Sequence, residues 1–412
     1  MYKIDFQCPV HVHFIGIGGI SMSGLAEILL KEHFTVTGSD SKESPLTRHL
    51  TDLGAVIHYG QKAENITDDI DVVVYTAAVH ADNPEFIAAK EHQLPMLTRA
   101  ELLGQLMTNY KTPIAVSGTH GKTTTTSMIS HILLAGDTDP TISVGGILKI
   151  IGGNIRVGHS DVFITEACEY TNSFLDFLPK IGIILNVEED HMDFFKDLDD
   201  IRHSFHRFAA LLPNDGTLII NSEISQYEQI IAGLNCNVIT YGIHNDADYT
   251  AQNIQYDNMG NVSFDLIDHG TKKDRIFLSV NGEHNVSNAL SAIITGTLLG
   301  IDLEKIKKGL LSFTGTRPPL LNTKEHSTVS RSSMITHTIR QRSRQLFLPH
   351  STTRTEKSGA FSTSHIHKDK SFLSRICAGA DTCRSCDPRR HLCCQRNRYA
   401  WHVLRGSFRC NS

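Results

Sequence analysis

Between Thr112 and Gly136 the chain reads TPIAVSGTHGKTTTTSMISHILLAG, a β-run, a short glycine loop and the start of a helix. Those residue types suit the handling of a nucleoside triphosphate. Backbone N–H groups of Gly118, Thr119, His120 and Gly121 can cradle phosphate oxygens. The Lys122 ammonium can meet the β- and γ-phosphates, and the Thr123 hydroxyl can reach Mg²⁺, with Thr124 continuing into the helix. The spacing Gly118-x-x-Gly121-Lys122 is shorter than G-x-x-x-x-G-K, which points away from Ras-like switches and toward another ATP-using group. A plain Gly/Ser/Thr turn before a helix is the competing reading.

Two later strands end in groups that fit metal-assisted phosphoryl chemistry. DVFITEACEYTNSFL predicts a strand over 162–165 ending in Glu166, with Glu169 just beyond; IGIILNVEEDHMDFF predicts one over 181–187, bringing Asn186, Glu188, Asp190, His191 and Asp193. Singly, each is a solvated charge or a cap. Two such strand ends behind a phosphate loop converge on the crevice where α/β folds bind substrates, and point to a metal site. VNGEHNVSNALSA opens a helix with Asn285 and Asn288 on adjacent turns. Their amides could read an adenine or ribose edge; helix capping by Asn285 is the alternative.

A second glycine turn lies near the start, in VHVHFIGIGGISMSGLAEILLKEHFTVTGSD. The order is strand, turn, helix over 20–33, strand, with Met22, Leu25, Ala26, Leu29 and Leu30 along one helix face. Gly16, Gly18 and Gly19 would let the backbone approach a diphosphate at the helix N-terminus. Asp40 stands where a dinucleotide fold places a ribose-binding carboxylate. Ser21 occupies the third glycine position of G-x-G-x-x-G, which favours another nucleotide diphosphate over NAD. Alternatively, these glycines only pack helix against strand. DVVVYTAAV, from Asp71, is a further buried strand.

Taken together, GIGGISMSGLAEIL, TGSD, SGTHGKTTTT, EACEYTNSFL, NVEEDHMDFF, GEHNVSNALSA and FTGTR resemble the Mur ligases of peptidoglycan synthesis. The strings EACEY and EDHMD are specific to the member that joins L-alanine to UDP-N-acetylmuramate. The resemblance implies an α/β enzyme. A Rossmann-like UDP-sugar domain would span 1–111, with Gly16, Gly18, Gly19, Ser21 and Asp40 at the ligand. A P-loop-type ATP-binding domain would span 112–317. By position, Lys122 would hold the β- and γ-phosphates, Thr123 a first Mg²⁺, and Glu166 and His191 a second. Asn285 and Asn288 would face the adenosine, and Arg317 joins the ATP contacts. The cofactors implied are ATP and Mg²⁺, and the substrates are UDP-N-acetylmuramate and L-alanine. A nucleotide-binding protein without ligase activity and an NAD-dependent oxidoreductase stand as alternatives.

After Arg317 the character changes. Residues 318–412 hold 17 Lys and Arg against 5 Asp and Glu, and six of the nine cysteines fall between Cys377 and Cys410. The preceding part is acidic, which excludes a broad nucleic-acid face. No signal pattern or membrane-length apolar run occurs, and a cytoplasmic protein with reduced thiols is expected, with no protein partner indicated. The family's last-domain motifs are absent from residues 318–412 as written. They return when codons are re-joined across frames: SSMITHTIR gives I-D-D-Y-A-H-H-P, with Met334 (only ATG) and Ile335 forcing an Asp. From Ser364 the other offset yields Y-T-R-T and A-D-I-Y-A-A-R-E. The expectation is an aberrant tail produced by two frame changes, near Pro318 and near Phe361, in place of the family's C-terminal α/β domain. Cys383-x-x-Cys386 then carries no zinc argument.

Overall fold

The computed structural model of the chain describes residues 2–315. Arg317 and the whole 318–412 tail lie outside the described residues. The first layer is a five-stranded parallel sheet built from β1 (His11–Ile15), β2 (Thr35–Asp40), β3 (Val56–Tyr59), β4 (Val72–Tyr75) and β5 (Met96–Thr98), in the order β3-β2-β1-β4-β5. Its helices are α1 (Ile20–Lys31), α2 (Pro45–Asp52), α3 (Pro84–Glu91) and α4 (Arg99–Met107). This is a Rossmann-like arrangement, with the order reversing at β1.

The alternation along each strand decides which helix it meets. Val12 and Phe14 of β1, with Val72 and Val74 of β4, join the core under α1, α2 and α4. Ile15 and Val73 point to the opposite face, against Ala88 and Ala89 of α3. Strands covered on both faces read as continuous apolar runs, which is why VVVY was legible as buried.

The second sheet has ten strands: β6 (Thr112–Ser117), β7 (Thr141–Leu148), β8 (Gly153–Arg156), β9 (Val162–Glu166), β10 (Ile181–Ile184), β11 (Thr217–Asn221), β12 (Asn237–Gly242), β13 (Tyr249–Tyr256), β14 (Asn261–Asp268) and β15 (Thr271–Asn281). Their order is β15-β14-β13-β12-β11-β10-β6-β9-β7-β8. The centre is parallel, while β7–β8 and β13–β14–β15 pair antiparallel at the margins. Helices α5 (Lys122–Ala135), α8 (Glu283–Leu298) and α9 (Leu303–Ser312) cover one face, where Ile114, Val116, Ile183 and Ile219 meet Ile129, Ile132 and Ile293. Helix α6 (Leu198–Ala209) covers the other, with Phe205 and Phe208 over Ile184, Leu218 and Ile220, and the short α7 (Tyr227–Ile231) beside it. No helix among the described residues is long and apolar enough to cross a membrane.

Two elements end earlier than their sequence pattern suggests. Helix α1 stops at Lys31, not His33: His33 turns left-handed at φ 65°, and its N–H and that of Phe34 return to Leu30 and Leu29 carbonyls, closing the helix. Strand β10 stops at Ile184, not Val187. Beyond it the backbone leaves the ladder to bond the phosphate loop, with Leu185 N–H on the Ser117 carbonyl and Thr119 N–H on the Asn186 carbonyl.

The two sheets share one apolar core, in which residues from α1 and α4 continue into Phe163, Phe174 and Phe177. The backbones touch there: a Cβ built on Gly104 of α4 would lie 1.9 Å from the Asp176 carbonyl oxygen. Gly104→Ala must therefore push α4 off the 3₁₀ segment Tyr170–Asp176, an overpacking that costs about 1–3 kcal/mol. Gly153→Ala, with nothing within 4 Å of the added carbon, is the control. In chemical unfolding, Gly104→Ala is expected to lose stability and the control to stay near the parent; equal midpoints would contradict a tight seam.

Candidate functional site

The loop after β6 is set by its glycines. Gly118 sits at φ 137°, where an added Cβ would approach Leu185 Cβ to 3.0 Å and Asn186 N to 3.2 Å. Gly121, the residue before α5, is left-handed at φ 86° and would meet Asn288 Oδ1 at 3.0 Å. Both positions therefore exclude a larger residue, by conformation and by crowding. Asn186 holds the loop between them. Its Oδ1 accepts from His120 N–H at 2.7 Å and its Nδ2 donates to the His120 carbonyl at 2.9 Å. Thr119 is tied at both ends, its N–H to the Asn186 carbonyl and its Oγ1 accepting from Glu188 N–H.

Lys122, the first residue of α5, curls back over the loop. Its Nζ donates to the Gly118 and Thr119 carbonyls at 2.5 and 3.2 Å and to Glu169 Oε2 at 2.8 Å. Glu169 is only 2% exposed, so the pair is largely out of water. The second oxygen, Glu169 Oε1, is buried with no hydrogen-bond partner and lies 3.7 Å from His191 Nε2. His191 has a left-handed backbone at φ 52°, and its ring packs 4.5 Å from that of Tyr170.

Beside this group, Thr123 Oγ1 donates to Glu166 Oε2 at 2.8 Å and Gly145 N–H donates to Glu166 Oε1 at 2.5 Å. Burial pushes the Glu166 carboxyl above its ordinary range despite those two donors. The expected residues thus fall into two adjoining sets: Thr123 with Glu166, and Lys122 with Glu169 and His191. Thr124 follows, half-buried, in the first turn of α5. Asn288 touches Gly121, whereas Asn285 is a turn away, buried, with its Nδ2 on the Asn281 carbonyl. Asn285 does not cap α8; Gly282 stands at that position.

Whether Mg²⁺ suits this place is a matter of donors and charge. Thr123 and Glu166 offer hard oxygen atoms of the kind Mg²⁺ prefers alongside phosphate and water. One buried and one half-buried carboxylate lie near one ammonium, and one carboxylate oxygen is unpartnered, a balance that a cation would correct. The fit is good. No group of three or more His, Cys, Asp or Glu side chains able to hold a metal is assembled among the described residues, so phosphate oxygens would complete the ligand shell.

The first glycine turn is arranged differently from its simplest reading. Gly16 is left-handed at φ 83°. Gly18 is spent on Asp40: its N–H donates to Asp40 Oδ2 at 2.8 Å, and an added Cβ would lie 2.6 Å from the same atom. Asp40 therefore braces the turn as well as lining the adjoining cleft. That cleft, about 580 Å³, is bordered by Gly16, Gly19, Asp40, Gln61, Thr76 and His80. Ser21 opens α1 and accepts a hydrogen bond from Arg99.

Glu169 and Asn186 belong to the strand-end clusters expected to serve a metal, and the fold pairs Glu169 with Lys122 and sets the Asn186 amide on the loop backbone. Asn186 carried one usable signal: an amide at the end of a strand adjacent to the loop strand.

The description "Mur ligase family, catalytic domain" matches residues 11–111, and "Mur ligase middle domain" matches 116–296. The chain is 52% identical over 401 residues to a UDP-N-acetylmuramate–L-alanine ligase of Lachnospira eligens, covering 93% of this chain and 87% of that protein. It is 61% identical to the protein of the same name from Agathobacter rectalis, covering 76% and 69%. A crystal structure of a UDP-N-acetylmuramate–alanine ligase from Thermotoga maritima superposes with a TM-score of 0.63 at 30% identity, covering 74% of this chain and 69% of that one.

The raised Glu166 pKa has a stability consequence. The contribution is intact below the ordinary carboxylate pKa and is lost as pH rises through the higher folded value. Glu166→Gln removes the ionisation, so the metal-free variant should match the parent below the ordinary carboxylate pKa and exceed it in unfolding temperature by a margin that grows as pH rises above that range. A margin independent of pH would contradict the assignment.

Proposed function

The chain belongs to the Mur ligase family, and from that premise we propose that its fold serves the ATP-dependent joining of L-alanine to UDP-N-acetylmuramate in peptidoglycan synthesis, in the cytoplasm. The observation that carries this reading is the half-buried Lys122, held on the carbonyls of a glycine loop and paired with Glu169, next to the Thr123–Glu166 bond. Free thiols at Cys8, Cys168 and Cys236 fit a reducing compartment.

In this reading ATP lies over Gly118–Thr124. Lys122 leaves Glu169 and the loop carbonyls for the β- and γ-phosphates, and Asn186 keeps the loop N–H groups aimed at them. Thr123 would hold a first Mg²⁺ and Glu166 with His191 a second, and these cations would supply charge neutralisation for the phosphoryl transfer. Asn285 and Asn288 lie on the adenosine side, with Arg317 a further ATP contact. The turn containing Gly16, Gly18, Gly19 and Ser21, braced by Asp40, takes the UDP-sugar. The lactyl carboxylate of that sugar attacks the γ-phosphorus, and ADP leaves with the bridging oxygen. The L-alanine amine then adds to the acyl phosphate carbonyl, and phosphate departs as the amide forms and the amine loses a proton. Two anions meet in the first step, so the protein's contribution is alignment and charge compensation.

The domains are read as 1–111 for the UDP-sugar, 112–317 for ATP, and 318–412 as a tail carrying the family's last-domain motifs in shifted frames. The Lachnospira eligens match runs well past residue 317 and is the observation that competes with this reading of the tail. A chain without the family's last domain leaves the acyl phosphate open to water and favours nucleotide binding without ligation.

Two outcomes are expected. Lys122→Ala removes the cation from the loop and should reduce ATP affinity by about 10²-fold or more, in line with the loss of a charged partner; unchanged affinity in a titration would defeat the loop assignment, and binding of NADH at the first turn would favour the oxidoreductase reading. With ATP, Mg²⁺, L-alanine and UDP-N-acetylmuramate, the 412-residue chain should form negligible ADP and product, and a chain with both frames restored should form both. Robust ligation by the 412-residue chain would refute the reading of the tail.

A further inference from the structure

Arg99 lies beside the first glycine turn. It is the first residue of α4, fixed there by the reciprocal bonds between Thr98 and Glu101. On one side its Nη1 donates to Ser21 Oγ at 3.2 Å, at the start of α1. On the other it acts electrostatically on Cys168, whose thiol burial pushes up in pKa and the guanidinium draws down, and Cys168 lies between Glu166 and Glu169 in sequence. No carboxylate among the described residues comes within ion-pair distance of it. A guanidinium carries five donors in a planar fork, and here one of them is used. Withdrawal from water also lowers its pKa, as expected for a cation held without a counter-ion.

The neighbouring cleft lacks what an anionic ligand needs. Asp40 and Asp82 border it and no lysine or arginine does. A nucleotide sugar entering along Gly16–Ser21 brings a diphosphate, and one ending in a lactyl group brings a carboxylate toward the Lys122–Glu166 region. Arg99, bonded to Ser21 at the start of α1, is a cation beside that turn. A bidentate carboxylate or phosphate contact is the interaction its geometry suits.

We propose that Arg99 receives an anionic oxygen pair of the nucleotide-sugar substrate as it spans the seam between the two sheets. The inference rests on reading the first glycine turn as the UDP-sugar site. It makes Arg99 a substrate-positioning residue, with its bond to Ser21 holding the guanidinium beside the first glycine turn.

Calorimetric titration of the full chain with UDP, UDP-N-acetylglucosamine and UDP-N-acetylmuramate tests this, using Arg99→Gln and Arg99→Lys. Arg99→Gln should weaken UDP-N-acetylmuramate by about 10- to 100-fold, the scale of a lost charge-assisted contact, and Arg99→Lys by less, because the charge remains without the fork. Equal weakening of all three ligands identifies the diphosphate as the group held; weakening of UDP-N-acetylmuramate alone identifies the lactyl carboxylate. Unchanged affinities for all three overturn the proposal, and a lower unfolding temperature alongside them would assign Arg99 to the seam alone. Failure of the parent chain to bind any of the three would instead overturn the reading of the glycine turn, and this proposal with it.

Discussion

A buried ammonium must have an acceptor, and the arrangement around the second loop follows from that constraint. Lys122 is mostly out of water and Glu169 almost wholly so. Removing either partner would leave the other charge uncompensated in a poorly solvating place, an error typically costing about 3–5 kcal/mol. The loop supplies further acceptors in its own carbonyls, which requires Gly118 and Gly121 in conformations that other residues resist. Asn186 then fixes the loop from the adjacent strand end. The lysine is thus kept ordered by groups it can exchange for phosphate oxygens, at little reorganisation of the backbone.

The same region is left short of positive charge. Glu166 and Glu169 end up on either side of one lysine, Glu166 is pushed toward its neutral form by burial, and Glu169 keeps an unpartnered oxygen. Such a site is poorly satisfied alone and well satisfied by a divalent cation and a polyphosphate together. Strain of this kind at a functional site, offset by packing elsewhere, is the usual pattern. Here the offsetting packing is the shared core across the seam, where α4 and the 170–176 segment meet backbone to backbone.

Both glycine turns, their strands and the helices behind them were legible because glycine loops, apolar runs and helical spacing are local signals. Glu166 was legible as a strand-end group, whereas His191 lies seven residues beyond the end of β10. What stayed hidden depends on contacts distant in sequence. Nothing near Asn186 announces that its amide clasps His120, and nothing near Arg99 announces its bond to Ser21 of α1. Asp40 was read as a ribose ligand, whereas the fold also spends it on Gly18. The ends of α1 and β10 were misplaced for the same reason: His33 closes the helix through its backbone, and Leu185–Val187 abandon the ladder to serve the loop.

The central claim is that the Lys122–Glu169 pair is the resting form of a phosphate-binding loop. A crystal structure of the chain with Mg²⁺ and a non-hydrolysable ATP analogue tests it directly. Lys122 Nζ is expected to be withdrawn from the Gly118 and Thr119 carbonyls and placed on phosphate oxygens, with the cation against Thr123 and Glu166. An analogue bound elsewhere, or a Lys122 still seated on Glu169 and the loop carbonyls beneath a bound triphosphate, would contradict it.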